Sequence, residues 1–316
     1  MSRDIPAILL MGPTGSGKTD LAIRLAEAWP LGIVSVDSAM VYRGLDIGSA
    51  KPDASTLARV RHRLVDIADP AERYSVGRFL QDVGAAMAEV RAEGRFPLLV
   101  GGTMLYFRAL QSGLAAMPEA DPLIRARIDA RAAELGWPAL HAELGRLDPK
   151  AAAGIRPLDR QRIQRALEVI ELTGQPLSAH WGENFHGSTR SRDLKFILAP
   201  SDRAWLGAHL ERRFDAMLAA GLLAEIERLY ARGDLSAELP AIRAVGYRQL
   251  WEVLTGSMPL SEARDRAVIA SRQLARRQLT WCRREPESVW VDALEEGSFD
   301  QISRKVGAWL MLHGNR

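Results

Sequence analysis

Residues 12–19 read Gly12-Pro13-Thr14-Gly15-Ser16-Gly17-Lys18-Thr19 and match the pattern G-x-x-x-x-G-K-[ST] at every position. Glycines in such a loop let successive backbone N–H groups turn toward a phosphate, and a helix starting just after it adds positive potential. Lys18 suits the neutralisation of anionic oxygens, and the Thr19 hydroxyl suits a magnesium ion, Mg²⁺. A bound diphosphate or triphosphate is the chemistry this implies. A plain glycine-rich turn is the alternative, and the strand and helix patterns on either side argue against it. Asp37 is the second chemical candidate, a carboxylate suited to general-base or metal work if held within hydrogen-bond reach of its proton; a helix cap or surface role stays open for it. A typical ATP-binding protein of this loop type places an Asp at the end of another strand to organise Mg²⁺ and water. After Leu99-Val100 this chain has Gly101-Gly102-Thr103 instead. Ordinary ATP hydrolysis is therefore not expected of this nucleotide-binding motif, and the diphosphate reads better as a leaving group than as a phosphoryl source.

The elements that must position these residues follow from apolar patterning. The run Ile8-Leu9-Leu10-Met11 reads as a buried strand entering the loop, and 20–29, with Leu21, Ala22, Leu25 and Ala26 at helical spacing, as the helix leaving it. Ile33-Val34-Ser35-Val36-Asp37 is a strand ending in the carboxylate, and Phe96-Pro97-Leu98-Leu99-Val100 runs into Thr103. Strands separated by helices imply right-handed crossovers and a parallel sheet whose ligand site lies at the carboxyl ends of its strands. The fold class expected is α/β, a P-loop NTPase-like parallel sheet flanked by helices. From 112 to 193 the texture becomes Ala- and Arg-rich, punctuated by six prolines and without a clear strand. It reads as an inserted all-helical domain (112–193) within a core of 1–111 and 194–316. The core resumes at Leu194–Leu198, continues through helices over 205–231 and 261–284, and ends with Val289-Trp290-Val291 and a last helix.

Two basic helical faces stand out. Residues 159–174 read as a helix with Asp159 as its N-cap, a buried stripe of Ile163, Ala166, Leu167 and Ile170, and Gly174 as its stop. Gln161, Arg162 and Arg165 lie off that stripe, where a plain solvated face is the alternative. The segment 261–285 carries Arg264, Arg266, Arg272, Arg276, Arg277, Arg283 and Arg284 against three carboxylates, most of them on one arc, with Ala267, Ala270, Leu274 and Trp281 opposite. Such an arc suits a phosphate backbone or a membrane surface, and an ordinary exposed face is the alternative. A small-anion loop and a larger basic face in one chain point to a small diphosphate and a polynucleotide as joint substrates.

The chain of 316 residues carries a formal charge of only +3 but a pI near 9.2, so basic patches are local. Cys282 is the only cysteine, which excludes internal disulfides and cysteine-based zinc sites and fits a reducing cytoplasm. No run reaches membrane-spanning length and the first strand begins almost at Met1, so a cytoplasmic protein without a leader is expected. His62, His141, His180, His186, His209 and His313 show no paired ligand spacing.

Six ordered motifs carry a resemblance that covers nearly the whole chain. They are the loop at 12–19, Asp37-Ser38-Ala39-Met40-Val41-Tyr42-Arg43-Gly44-Leu45-Asp46-Ile47-Gly48-Ser49-Ala50-Lys51-Pro52, Gly101-Gly102-Thr103-Met104-Leu105-Tyr106, the run 161–168, Val245-Gly246-Tyr247-Arg248-Gln249, and the run 272–281. Together they resemble the tRNA dimethylallyltransferase family. The resemblance implies transfer of a dimethylallyl group from dimethylallyl diphosphate to N6 of adenine 37, beside the anticodon, in tRNAs that read codons beginning with U. It implies that Asp37 accepts the proton, that Thr103 helps hold the extruded adenine, and that Lys18, Thr19 and Arg213 stabilise the departing diphosphate with Mg²⁺. It further implies that Asp37, Ser38, Ala39, Met40, Thr103, Gln161, Arg162, Ile163, Gln164, Arg165, Arg243, Ala244, Val245, Gly246, Tyr247 and Arg248 line the tRNA contact, with Arg125 near the entrance and the inserted domain binding tRNA. Arg272 and Arg276 join that contact through the basic arc, in a chain expected to act as a monomer. The chain departs from the family pattern at Ser49 (usually Thr), Arg63 (often a second His) and Arg276 (usually Lys). Rival readings are an isopentenyltransferase acting on free adenine nucleotides, a small-molecule kinase, and a nucleotide-gated RNA-binding protein without chemistry.

Overall fold

The computed structural model describes residues 6–113, 117–181 and 192–313 and divides into two compact units, Met1–Arg108 with Arg190–Arg316, and Ala109–Thr189. The first unit is built on six parallel strands: β1 (Ile8–Met11), β2 (Leu31–Val36), β3 (His62–Arg63), β4 (Phe96–Gly101), β5 (Leu194–Ala199) and β6 (Val289–Asp292). Their order across the sheet is β3-β2-β4-β1-β5-β6, so β1 sits between β4 and β5 with Leu10 opposite both Val100 and Phe196. Alternation decides which side chains meet which helix. Ile8, Leu10, Ile33, Leu98, Val100, Phe196 and Leu198 pack with α1 (Lys18–Ala28) and α13 (Ser298–His313) in one apolar cluster. The alternate residues Leu9, Val34, Leu99 and Ile197 are equally buried on the opposite face, where α3 (Val76–Ala92) covers β2 and β4. With both faces covered, the strands are near-continuous apolar runs.

Further helices complete the chain: α2 (Ala54–Arg59), α4 (Met104–Ser112), α9 (Arg203–Ala219), α10 (Leu222–Tyr230), α11 (Tyr247–Leu254) and α12 (Leu260–Cys282). The second unit has helices and no strand among its described residues: α5 (Pro122–Leu135), α6 (Trp137–Leu147), α7 (Pro149–Ala153) and α8 (Arg160–Thr173), then a short 3₁₀ turn. Its own core joins Ile124, Ile128, Leu140, Leu144, Ile163 and Leu167. Asp159 caps α8 by accepting from Arg162 N, and Gly174 stops it in the left-handed conformation. Helix α1 starts at Lys18, two residues before the pattern predicts, because Gly17, at φ 76°, already forms its N-cap. Among the described residues no helix is long and apolar enough to cross a membrane.

Candidate active site

The turn after β1 brings the phosphate loop to the carboxyl edge of the sheet, at the N-terminus of α1. Lys18 Nζ donates to the carbonyl of Pro13 at 2.6 Å and to Ser16 Oγ at 3.3 Å, folding its ammonium back over the loop. Burial is the strongest influence on that ammonium and brings its pKa down to about 8, opposed by the charge of Asp37 and reinforced by Arg213. Arg213, on α9, is likewise drawn below its ordinary value by burial, with Asp37 and Asp20 acting the other way. Two cations and one carboxylate therefore face each other at the mouth of the loop. No cluster of three or more His, Cys, Asp or Glu side chains forms a metal cage among the described residues. The Thr19 hydroxyl at the cavity wall fits a Mg²⁺ carried chiefly by phosphate oxygens, the ordinary habit of that ion.

Asp37 follows the last residue of β2. One of its oxygens accepts from the N–H groups of Ala39 (2.8 Å) and Met40 (3.2 Å) and so ties the turn that follows β2; no helix starts there for it to cap. The other oxygen has no hydrogen bond among the described residues. Beside it, the Ser38 N–H donates to Thr103 Oγ1 at 3.1 Å, tying the end of β2 to the end of β4. Two cavities of about 480 Å³ each open here. One contains the phosphate loop from Thr14 to Thr19; the other is walled by Thr103, Met104, Phe214, Arg243 and Trp281. They share Thr14, Asp37, Ser49, Gly102, Arg213 and Gln278. An anion on the loop thus lies next to the carboxylate that faces the second cavity.

Several residues that hold this arrangement escape a reading of the sequence. Gln278 Oε1 accepts from Thr14 N at 2.8 Å and its Nε2 donates to the Gly102 carbonyl at 2.9 Å. Ser271, Leu274, Gln278 and Trp281 form one helical stripe along α12 that lines the second cavity; a polar residue in the middle of such a stripe is the signal that marks it. Glu225, buried on α10, accepts from the N–H groups of Asp46, Ile47 and Gly48 and from the Tyr247 hydroxyl, pinning the segment before Ser49. Ser49 Oγ donates to the Leu45 carbonyl, and Lys51 Nζ reaches Tyr42 O, Asp46 and Asp66. Arg63 is buried and pairs with Glu89 and Glu93, a role imidazole does not reproduce.

The residues of the expected tRNA contact lie in different surroundings. Tyr247 is fully buried with its hydroxyl on Glu225, and Gly246 is buried beneath Phe214, so neither presents a surface. Ile163 is fully buried in the core of the helical unit. Arg125 and Arg165 both turn onto the buried carboxylate of Glu168, which they need as much as it needs them. Arg162 pairs with its own cap Asp159, Gln164 with Asp129, while Gln161 is exposed. Arg243, Ala244 and Val245 do line the second cavity, and Arg248 is exposed. On α12, Arg272 bonds Glu211 and Arg264 bonds Glu211 and Asp215, so this half of the arc is neutralised by α9. Arg276, Arg277, Arg283 and Arg284 have no carboxylate partner among the described residues. Trp281, opposite the basic arc in the sequence pattern, is partly exposed with the Arg108 guanidinium 5.6 Å from its ring centroid. Of the histidines, His209 stacks on Trp205, His62 and His141 bond backbone carbonyls, and His186 lies outside the described residues.

Comparison with known proteins fits this geometry. The sequence model of the IPP transferase family matches residues 40–285, and that of isopentenyl transferase matches residues 5–68. The chain is 52% identical to the tRNA dimethylallyltransferase of Bordetella petrii over 97% of this chain and 98% of that protein. It is 59% identical to that of Thioalkalivibrio sulfidiphilus, covering 93% and 91%. The crystal structure of the tRNA isopentenylpyrophosphate transferase of Bacillus halodurans aligns with a TM-score of 0.70 at 34% identity, covering 97% of each chain. A eukaryotic dimethylallyltransferase acting on tRNA shares the fold with a TM-score of 0.81 at 24% identity, covering 99% of this chain and 80% of the other. With both the site geometry and full-length identities above 50%, the chain belongs to the tRNA dimethylallyltransferase family of IPP transferases.

Proposed function

We propose that this protein transfers a dimethylallyl group from dimethylallyl diphosphate to N6 of adenine 37 in the anticodon loop of tRNAs reading codons that begin with U. The observation that carries this reading is the pair of cavities sharing Asp37 and Arg213, one built on the phosphate loop and the other lined by apolar and basic side chains. A diphosphate and a nucleobase approaching through separate cavities meet at that carboxylate. The adenine amine is a weak nucleophile, and its base must leave the stack before reaching the allylic carbon; an unpaired loop makes this inexpensive.

In the transfer step the N6 lone pair forms the new bond to C1 of the allyl group while the C1–oxygen bond breaks. Its electron pair departs with the diphosphate, and the N6 proton passes to the unengaged oxygen of Asp37. Lys18 and Arg213 stabilise the charge that grows on the bridging oxygen, with the N–H groups at the start of α1. Thr19, on the wall of the loop cavity, would hold a Mg²⁺ beside the diphosphate, and that ion would supply further positive charge to the leaving group. Thr103 holds the Ser38 turn beside Asp37 and contributes a hydroxyl to the adenine cavity. Arg243 and the arginines of α12 that have no carboxylate partner among the described residues, Arg276 above all, serve the tRNA backbone, together with the exposed residues of the helical unit. The experiment is direct: incubate the purified protein with bulk tRNA and dimethylallyl diphosphate, digest the RNA, and look for N6-isopentenyladenosine at position 37. Absence of that nucleoside, or of diphosphate release, overturns the reading.

A further inference from the structure

We infer that Gln278 is a positioning residue that sets the separation between the nucleophile and the leaving group, an inference that rests on the function proposed above. One amide joins two loops on either side of the reacting atoms. Its oxygen accepts from Thr14 N at 2.8 Å, in the loop that holds the diphosphate. Its nitrogen donates to Gly102 O at 2.9 Å, one residue before Thr103, which in turn fixes Ser38 and the Asp37 turn. Gln278 also lies on the wall of both cavities.

The residue types are matched to this bridge. Only an amide of this length offers an acceptor to Thr14 and a donor to the Gly102 carbonyl at once; a carboxylate would set an acceptor against that carbonyl, and a methionine would span the gap with neither bond. Gly102 shows the closeness of the fit, since a Cβ there would lie 2.4 Å from Gln278 Nε2. With the Thr14 N–H committed to Gln278, the later N–H groups of the loop are left for the anion. Gln278 therefore does not need to touch either substrate to matter. It fixes how far the diphosphate cradle stands from the adenine side, and a displacement near 1 Å is enough to cost ~10²-fold in rate.

The test is Gln278→Met, which keeps length and packing and removes both hydrogen bonds. Single-turnover transfer is measured with saturating tRNA anticodon stem-loop and dimethylallyl diphosphate, and binding of inorganic diphosphate and of the stem-loop is measured separately. The inference expects the transfer step to slow by ~10²-fold while both affinities and the melting temperature stay near wild type. A wild-type transfer rate overturns it, as does a loss wholly explained by weaker binding of either ligand. If the methionine variant does not fold, Gln278→Asn, too short to reach both partners together, carries the same measurement. Wild-type protein lacking transfer would refute the proposed function itself; active wild type with an equally active variant refutes only the role of Gln278.

Discussion

The Tyr247 hydroxyl donates to the buried carboxylate of Glu225 at 2.5 Å, and through that carboxylate α11 reaches the backbone of the segment leading into both cavities. Burial and the neighbouring negative charge push the tyrosine well above its ordinary pKa, so it remains a donor at every working pH. Gly48 completes the contact, because a Cβ there would meet the Tyr247 ring at 2.6 Å. Tyr247→Phe should therefore destabilise the protein by about 2 kcal/mol, the range for a lost hydrogen bond to a buried charge. Urea unfolding checks this, and an unchanged midpoint would show that the bond is redundant. A tRNA-contacting tyrosine would instead lose tRNA affinity with stability untouched.

Asp37 carries two roles on its two oxygens, and the predictions for them separate. Asp37→Asn keeps an oxygen able to accept from Ala39 and Met40 but removes the proton acceptor. Transfer should fall by ~10²- to 10⁴-fold with tRNA binding and stability nearly intact. Asp37→Ala should show the same loss of rate together with a looser 37–40 turn. Near-wild-type turnover in the asparagine variant would reduce Asp37 to a tie for that turn.

Lys18 gives the pH dependence. Its ammonium, lowered to about 8 by burial, is charged below that pH and discharges as pH rises through it. A bound diphosphate supplies negative charge and raises the pKa, so the complex holds a proton that the free protein has lost. The Lys18 contribution to diphosphate affinity should consequently be flat below about pH 8 and fall above it, by at most about tenfold per pH unit, until the raised pKa of the complex is reached. Lys18→Arg, charged throughout, should remove the part of the slope owed to the protein; calorimetric titration of both proteins with the same ligand cancels the titration of the ligand itself. Parallel profiles would place the ionisation elsewhere.

The parts of the fold that the sequence discloses are those with short-range physics. The loop at 12–19, the strands at β1, β2, β4 and β5, and α8 with both its caps follow from periodicity and capping residues. What periodicity does not disclose is the partner of a polar side chain. Arg125 and Arg272 read as free charges until the structure sets Glu168 and Glu211 against them, one of them 43 residues away in sequence and the other 61. Tyr247 and Gly246 belong to a motif beside functional residues, and their burial reflects tertiary packing against Glu225 and Phe214. Gln278 is legible only as a polar residue between Leu274 and Trp281 on one helical stripe, because the loops that it joins lie 264 and 176 residues away.

Arg276 is where the basic face can be tested most sharply, since its neighbour Arg272 supplies the control. Both stand on the exposed side of α12, but Arg272 is already satisfied by Glu211 and the Gly207 carbonyl, whereas Arg276 has no carboxylate partner among the described residues. A counterion is released on RNA binding only by a cation that is free to meet a phosphate. Arg276→Gln should therefore lower the magnitude of the log-log salt slope of tRNA binding by roughly 0.7 to 0.9, with diphosphate binding unchanged and helix propensity kept. Arg272→Gln should leave the slope nearly as it was and instead loosen α12 from α9, seen as a lower melting temperature. Equal slopes in both variants and wild type would mean that α12 does not meet the tRNA backbone, and Arg243 with the exposed residues of α8 would be the next surface to test. Loss of slope in Arg272→Gln alone would mean that its pair with Glu211 opens on binding, which titration against Glu211→Gln would then show as a gain in affinity.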